Sequence, residues 1–134
     1  MKRNNTSKIL LTILFVIIAL VLVGVEEYKY MQTKKQTELI LNANKYMYDG
    51  EYDKAITILE ESLKEKYDSN IKNGIDFVTN LKKLKGIYNE GIKLFNEKKY
   101  LEAMNQFEKI SNDDKTLYDK AQSKIEECKK QYIE

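Results

Sequence analysis

The sequence predicts an all-α protein, with a transmembrane helix at the N-terminus followed by an array of antiparallel helical hairpins. Three observations support this fold class. A single long apolar run lies near the N-terminus, apolar residues after it recur every three or four positions, and no stretch alternates apolar and polar residues as a half-buried strand does. A chain of 134 residues makes one small domain, with an appendage at most.

The apolar run extends from Ile9 to Val25, and its one polar group is the Thr12 hydroxyl. As a helix it spans about 25 Å, slightly less than a hydrocarbon core of about 30 Å. The rest of the chain is too small to surround a helix that is apolar on every face. The run is longer than a signal-peptide core and ends in large residues where cleavage needs small ones, so we expect an uncleaved anchor. A secreted protein cleaved near Glu26 is the alternative.

Basic residues at the N-terminal tip, residues 1–8, predict the orientation. Lys2, Arg3 and Lys8 lie close together there, whereas the lysines after the run are more widely spaced. The positive-inside rule then places the N-terminus in the cytoplasm and the domain outside the plasma membrane. These three residues also explain the net charge of +2, because residues 26–134 keep 20 basic and 21 acidic groups.

Residues 26–36 are predicted to be a helical linker. The stretch from Glu26 to Tyr48 contains no glycine or proline. We therefore expect the membrane helix to run directly into the first helix of the domain, which begins near residue 37.

An internal repeat relates two segments that lie 48 residues apart, Ala43–Leu59 and Gly91–Phe107. In both, a small residue is followed after three positions by a large apolar residue, after nine by Tyr, after twelve by Ala and after sixteen by a large apolar residue. Small residues allow two antiparallel helices to approach. The turn between these helices is predicted at Asp49-Gly50 in the first copy and at Asn96–Lys99 in the second.

Two further helices are predicted from stripes of apolar residues. The first stripe predicts one long helix over residues 70–96, and the alternatives are a break at Asn73-Gly74 or a short degenerate repeat. The second predicts a closing helix over residues 114–133, in which Cys128 is a core thiol or, alternatively, a redox or intermolecular disulfide site. The members of the first stripe are Ile71, Ile75, Val78, Leu81, Leu84, Tyr88, Gly91 and Phe95, and those of the second are Tyr118, Ala121, Ile125, Cys128 and Tyr132.

Together these segments resemble the tetratricopeptide repeat (TPR) family. Tyr48–Ile56 is similar to the turn pattern of that family, Ile87–Ile110 keeps the small, Tyr, Ala and Phe positions, and Lys120–Cys128 resembles the closing helix of the subgroup found in bacterial envelope proteins. The resemblance covers about residues 37–132. It implies a TPR-like domain over residues 37–134, with repeats at about 37–67 and 70–111 and a closing helix.

The chain departs from the family in two ways. Tyr67 and Lys115 stand where repeats usually end in proline, and the period is 48 residues instead of about 34. The excess is close to a whole number of helical turns, so it can lengthen a helix without rotating its buried face.

Composition restricts the chemistry. The chain has no histidine and one cysteine, which excludes His-based catalytic and zinc sites, and its paired acids are adjacent on helices and therefore point apart. We expect no enzyme, no cofactor and no metal. The nearly neutral domain argues against nucleic acid as a partner.

The resemblance implies a partner-binding groove lined by the first helix of each hairpin. It predicts a membrane-anchored scaffold or assembly factor of a bacterial-type envelope that binds an unidentified protein and contacts the membrane through residues 9–25. A structural homo-oligomer that stacks through helix faces is the alternative, and Tyr88 and Phe95 are also open to a packing role. The candidate groove residues are Ile40, Asn44, Met47, Tyr48, Tyr88, Ile92, Phe95 and Asn96.

Overall fold

A computed structural model describes residues 3–133, and the side chains from Thr6 onward. Met1 and Lys2 of the predicted basic tip, and Glu134, lie outside the described residues. Over the described range the chain contains helices and no strand, which confirms the all-α class. The helices are α1 (Arg3–Tyr48), α2 (Tyr52–Glu65), α3 (Ser69–Asn96), α4 (Tyr100–Phe107) and α5 (Lys115–Ile133).

Helix α1 is continuous over 46 residues. Its N-terminal part is long and apolar enough to cross a membrane, and the side chains there are exposed. The Thr12 hydroxyl donates to the carbonyl oxygen of Lys8 at 2.7 Å, so the one polar group of the apolar run is satisfied within the helix. The expectation that this segment runs directly into the first helix of the domain is confirmed.

The first lobe consists of the C-terminal part of α1, helix α2 and the N-terminal half of α3. Ala43 and Ala55 are almost fully buried, which lets α1 and α2 pack closely. The buried residues of this core are Ala43, Ala55, Leu59, Ile71 and Val78.

The second lobe consists of the C-terminal half of α3 with α4 and α5. Gly91 lies against the Phe107 ring so closely that a Cβ at this position would be 2.6 Å from Phe107 Cε1. A side chain at position 91 would therefore displace the ring from the core. The buried residues of this core are Ala103, Phe107, Ile110, Ala121, Ile125 and Cys128.

Helix α3 joins the two lobes without a break over 28 residues. Asp68 caps its start, where the carboxylate accepts a hydrogen bond from the Asn70 backbone N–H at 2.8 Å. The predicted long helix is therefore confirmed, and the alternatives of a break at Asn73-Gly74 and of a degenerate repeat are wrong. The buried stripe explains the continuity, since its members keep one face of α3 against both cores.

The turns α1–α2 and α3–α4 have the same backbone hydrogen bonds. The Glu51 N–H donates to the Tyr46 carbonyl at 2.8 Å, and 48 residues later the Lys99 N–H donates to the Leu94 carbonyl at 3.0 Å. The residue just before each donor has a left-handed backbone conformation: Gly50 has a φ of +73° and Lys98 has a φ of +60°. Both turns are thus Schellman motifs, although only the first has the glycine that this motif favours.

Candidate functional site

The structure separates the eight predicted groove residues into several places. Ile40, Asn44 and Met47 lie together on α1 beside the N-terminal half of α3. Tyr48 and Tyr88 line a different cavity. The other three, Ile92, Phe95 and Asn96, line neither cavity and lie in the second lobe.

The first cavity is an apolar channel of about 490 Å³, which we name the α1–α3 groove. Helix α2 packs against both α1 and α3 and forms the floor of the channel between them. The aromatic ring of Phe77 is 46% exposed at the rim. Room remains at the floor, because a Cβ at Gly74 would meet only Leu59 Cδ1, at 3.9 Å. The lining residues are Ile40, Asn44, Met47, Leu59, Asp68, Asn70, Ile71, Gly74, Phe77 and Val78.

Sequence reasoning did not find the α3 side of this groove. The residues that resemble the TPR family place the groove on the matched part of each hairpin, and the extra turns of α3 lie outside that match. Phe77 could have indicated this side of the groove, because it is a large aromatic residue outside the buried stripe of α3. A large apolar residue on the polar side of an amphipathic helix indicates a second contact surface.

The second cavity, which we name the tyrosine groove, has a volume of about 710 Å³ and lies between the α1–α2 turn, α3 and the start of α5. It is more polar than the first. The lining residues are Tyr48, Asp49, Gly50, Tyr52, Lys85, Tyr88, Asn89, Asp114, Thr116, Leu117 and Lys120.

Lys85 organises one side of the tyrosine groove. Its ammonium group lies 5.3 Å from the centroid of the Tyr52 ring and donates to the Gly50 carbonyl at 3.4 Å. The pKa of the Tyr52 hydroxyl is raised, mainly by burial and to a smaller extent by the negative charge of Asp114. Tyr52 therefore remains a neutral hydrogen-bond donor at physiological pH.

Four aromatic residues of the second lobe pack in two pairs. Phe95 has its ring 5.4 Å from that of Tyr100 and 4.7 Å from the Lys124 ammonium, and it is half-buried. Tyr88 packs its ring 5.5 Å from Phe107 and also lines the tyrosine groove. Both residues therefore have packing contacts, and their assignment to a binding groove stays a prediction.

Among the described residues, no group of three or more His, Cys, Asp or Glu residues could hold a metal ion. Cys128 is buried in the second lobe, as the core interpretation predicted, and burial raises the pKa of its thiol. Both grooves instead offer apolar surface and hydrogen-bonding groups, which suits noncovalent binding.

Comparison with protein-family models, with curated proteins and with solved structures finds no match for this chain. What the chain does is therefore inferred from its own geometry.

Proposed function

We propose that this protein is a membrane-anchored scaffold or assembly factor that binds a segment of a partner protein in the α1–α3 groove. One observation carries the proposal: an open apolar groove is built on the same unbroken helix whose N-terminal part has the length and composition of a membrane span. The anchor would confine the groove to the membrane plane and raise its effective concentration toward membrane-bound partners.

The walls of the groove fit one amphipathic helix or one extended peptide. Ile40, Met47 and Phe77 offer adaptable apolar contact, and the exposed Asn44 amide can hydrogen-bond a peptide backbone. Burial of a few large side chains in such a channel supplies most of the affinity in grooves of this kind. The tyrosine groove would hold the continuation of the same segment, because Met47 lines the first cavity and its neighbour Tyr48 lines the second.

The arrangement that we propose is TPR-like, with α1–α2 and α3–α4 as the two hairpins and α5 as the closing helix. The equivalent Schellman turns and the buried alanines at matched positions, Ala55 and Ala103, support this. The proposed location is a bacterial-type plasma membrane, with a single pass, a cytoplasmic N-terminus and the domain outside. A protease added to cells stripped of their wall tests this orientation, because protection of the domain would reverse it.

Binding is favoured over catalysis because the α1–α3 groove is lined by apolar and amide side chains, with Asp68 as the one ionisable group among its lining residues. Nucleic acid is disfavoured because acids are interleaved with the lysines and the domain is nearly neutral. The alternatives that remain are a homo-oligomer through helix faces and a secreted form. Retention of Met1 in the intact mass would eliminate the secreted form.

Site-specific photo-crosslinking in native membranes tests the groove. A photoreactive residue at Asn44 should capture a discrete partner, and the same residue at Lys64, which is exposed on α2, should not. A second change, Phe77→Asp, should abolish the adduct from Asn44 because a buried carboxylate opposes apolar contact. Equal capture from Asn44 and Lys64, or capture that is insensitive to Phe77→Asp, would contradict the groove assignment.

A further inference from the structure

The turn between α2 and α3, residues 66–68, lies at the end of the domain nearest to the apolar run. We name it the basal turn. Lys35 Nζ lies 2.8 Å from Glu65 Oε1, and Gln36 Nε2 donates to the Lys66 carbonyl at 3.3 Å. A cavity of about 480 Å³ next to these contacts is lined by Tyr28, Lys29, Gln32 and Thr33 of α1 and by Glu65 and Lys66. The basal turn is therefore held beside residues 28–36 of α1.

The height of the basal turn above the membrane follows from the helical rise. Gln32, which lines the cavity beside the turn, is seven residues beyond Val25, or about 10 Å along an unbroken helix, whereas Lys35 and Gln36, which contact the turn directly, are about 15–17 Å beyond Val25. The headgroup region occupies about 5–7 Å on each side of the hydrocarbon core. Since the apolar run is slightly shorter than that core, it has no spare length for a large tilt, and the flanking residues are drawn toward the bilayer. The basal turn thus lies just beyond the headgroups, and the exposed Tyr67 is the side chain of this turn that would reach them.

The exposed side chains at this height are those that membrane interfaces favour. Tyr28 and Tyr30 are exposed on α1, and Tyr67 of the basal turn is 71% exposed. Tyrosine is enriched at the headgroup level because its ring is apolar and its hydroxyl is polar. Lysines 29, 34, 35 and 66 accompany these rings, and Glu26 and Glu65 pair with two of them, so aromatic contact outweighs net charge here.

We propose that the basal turn is a second membrane contact, in which Tyr67 inserts into the lipid headgroup layer beside Tyr28. The partner of this surface is the lipid itself, and the inference rests on the proposed membrane anchor. The protein would then contact the bilayer through two segments that are distant in sequence, the apolar run and the basal turn. The α1–α3 groove, at Ile40–Met47, would be held about 22–33 Å beyond the apolar run, a height that a partner segment must match.

Tryptophan fluorescence tests this contact in the full chain, because the protein has no tryptophan of its own. Three single replacements are compared in vesicles: Tyr67→Trp at the basal turn, Tyr132→Trp near the end of α5, and Val16→Trp in the apolar run. Tyr132 is a matched control, since it is 68% exposed and lies in the second lobe. Each protein is measured with spin-labelled lipids that carry the quencher either on the headgroup or deep in the acyl chain.

We expect headgroup-labelled lipid to quench the Tyr67→Trp protein at least about two-fold more strongly than the Tyr132→Trp protein, and deep-labelled lipid to quench the Val16→Trp protein. If Val16→Trp is quenched but Tyr67→Trp and Tyr132→Trp respond equally to the headgroup label, the second contact is wrong and the anchor stands. If deep-labelled lipid leaves Val16→Trp unquenched, the anchor fails and the proposed function fails with it. Because Tyr67 and Tyr132 are exposed, neither replacement removes a core contact.

Discussion

The two lobes contain the same type of helical hairpin but differ in the side chains that pack inside it. In the second lobe, Phe107 packs against Gly91, and α5 covers the hairpin. In the first lobe the matched residues are Leu59 and Ala43, and the corresponding side faces the open α1–α3 groove. One copy therefore has a large aromatic side chain at its centre, whereas the other retains a solvent-accessible apolar surface. Under the proposed function, the second lobe would supply stability and the first lobe the binding surface.

Truncation of the matched core residues should give the largest contrast between the lobes. We expect Phe107→Ala to lower the free energy of unfolding by about 3–5 kcal/mol, because it leaves a large cavity in a closed core. Leu59→Ala should cost less, about 2–3 kcal/mol, because Leu59 already borders open space. Denaturant unfolding of the full chain in detergent measures both values. An equal loss of unfolding free energy in Leu59→Ala and Phe107→Ala would contradict the proposed difference between the lobes. Leu101→Ala, on the exposed side of α4, is the control.

A second contrast concerns Ser62, which occupies the position in the first lobe that Ile110 occupies 48 residues later. Both are buried, but the Ser62 hydroxyl has no hydrogen-bond partner among the described residues. We expect Ser62→Ala to raise the free energy of unfolding by about 1 kcal/mol, because it removes an unsatisfied buried polar group. The same denaturation experiment tests this, with Ser123→Ala at an exposed position as the control. A loss of stability from Ser62→Ala would mean that the hydroxyl has a bonded water or other partner.

The two Schellman turns provide a third contrast, with opposite signs. Lys98→Gly should stabilise the second turn by about 0.5–1 kcal/mol, because glycine adopts positive φ without steric cost. Gly50→Ala should destabilise the first turn by about 1 kcal/mol for the same reason. Thermal melts of the two variants measure these changes. Lys98→Ala is the control, because it removes the charge but keeps a Cβ at the position of positive φ. If Lys98→Ala gains as much stability as Lys98→Gly, the backbone explanation is wrong.

The smallest expected effect is a pH dependence of the second lobe. Burial raises the pKa of the Cys128 thiol in the folded state, so the unfolded chain loses this proton at a lower pH than the folded chain. The stabilising contribution is complete below the ordinary thiol pKa of about 8.5 and is lost as the pH rises above it. The unfolding free energy should therefore fall more between pH 7 and pH 9.5 in the natural chain than in Cys128→Ala. Identical pH slopes in the two proteins would show that the thiol ionises equally in both states.

Local features of the fold were predictable from the sequence. The continuity of α1 follows from the absence of glycine and proline after Glu26, and the length of α3 follows from one sustained apolar stripe. The equivalence of the two turns follows from the repeat, even though Lys98 replaces the glycine. These properties depend on neighbouring residues, so periodicity and turn composition were sufficient to find them.

The composition of the grooves was less predictable, because it depends on how distant segments pack. Phe77 joins the α1–α3 groove only because the additional turns of α3 lie beside α1, which the repeat pattern does not specify. Phe95 was assigned to a groove by resemblance, and its contacts with Tyr100 and with Lys124 of α5 depend on helix packing that the resemblance does not specify. The unpartnered Ser62 hydroxyl also depends on contacts that no local pattern records.

The unbroken α1 helix has a mechanical consequence. No glycine or proline interrupts it between Val25 and Tyr48, so the helix has no ready hinge between the apolar run and the groove. Under the proposed function, a rotation of the helix within the lipid would turn the wall formed by Ile40 and Met47 through the same angle. Occupancy of the groove and the rotational state of the membrane segment would then be thermodynamically linked, so a protein that binds the membrane segment in one rotational state would change the affinity of the groove for its partner.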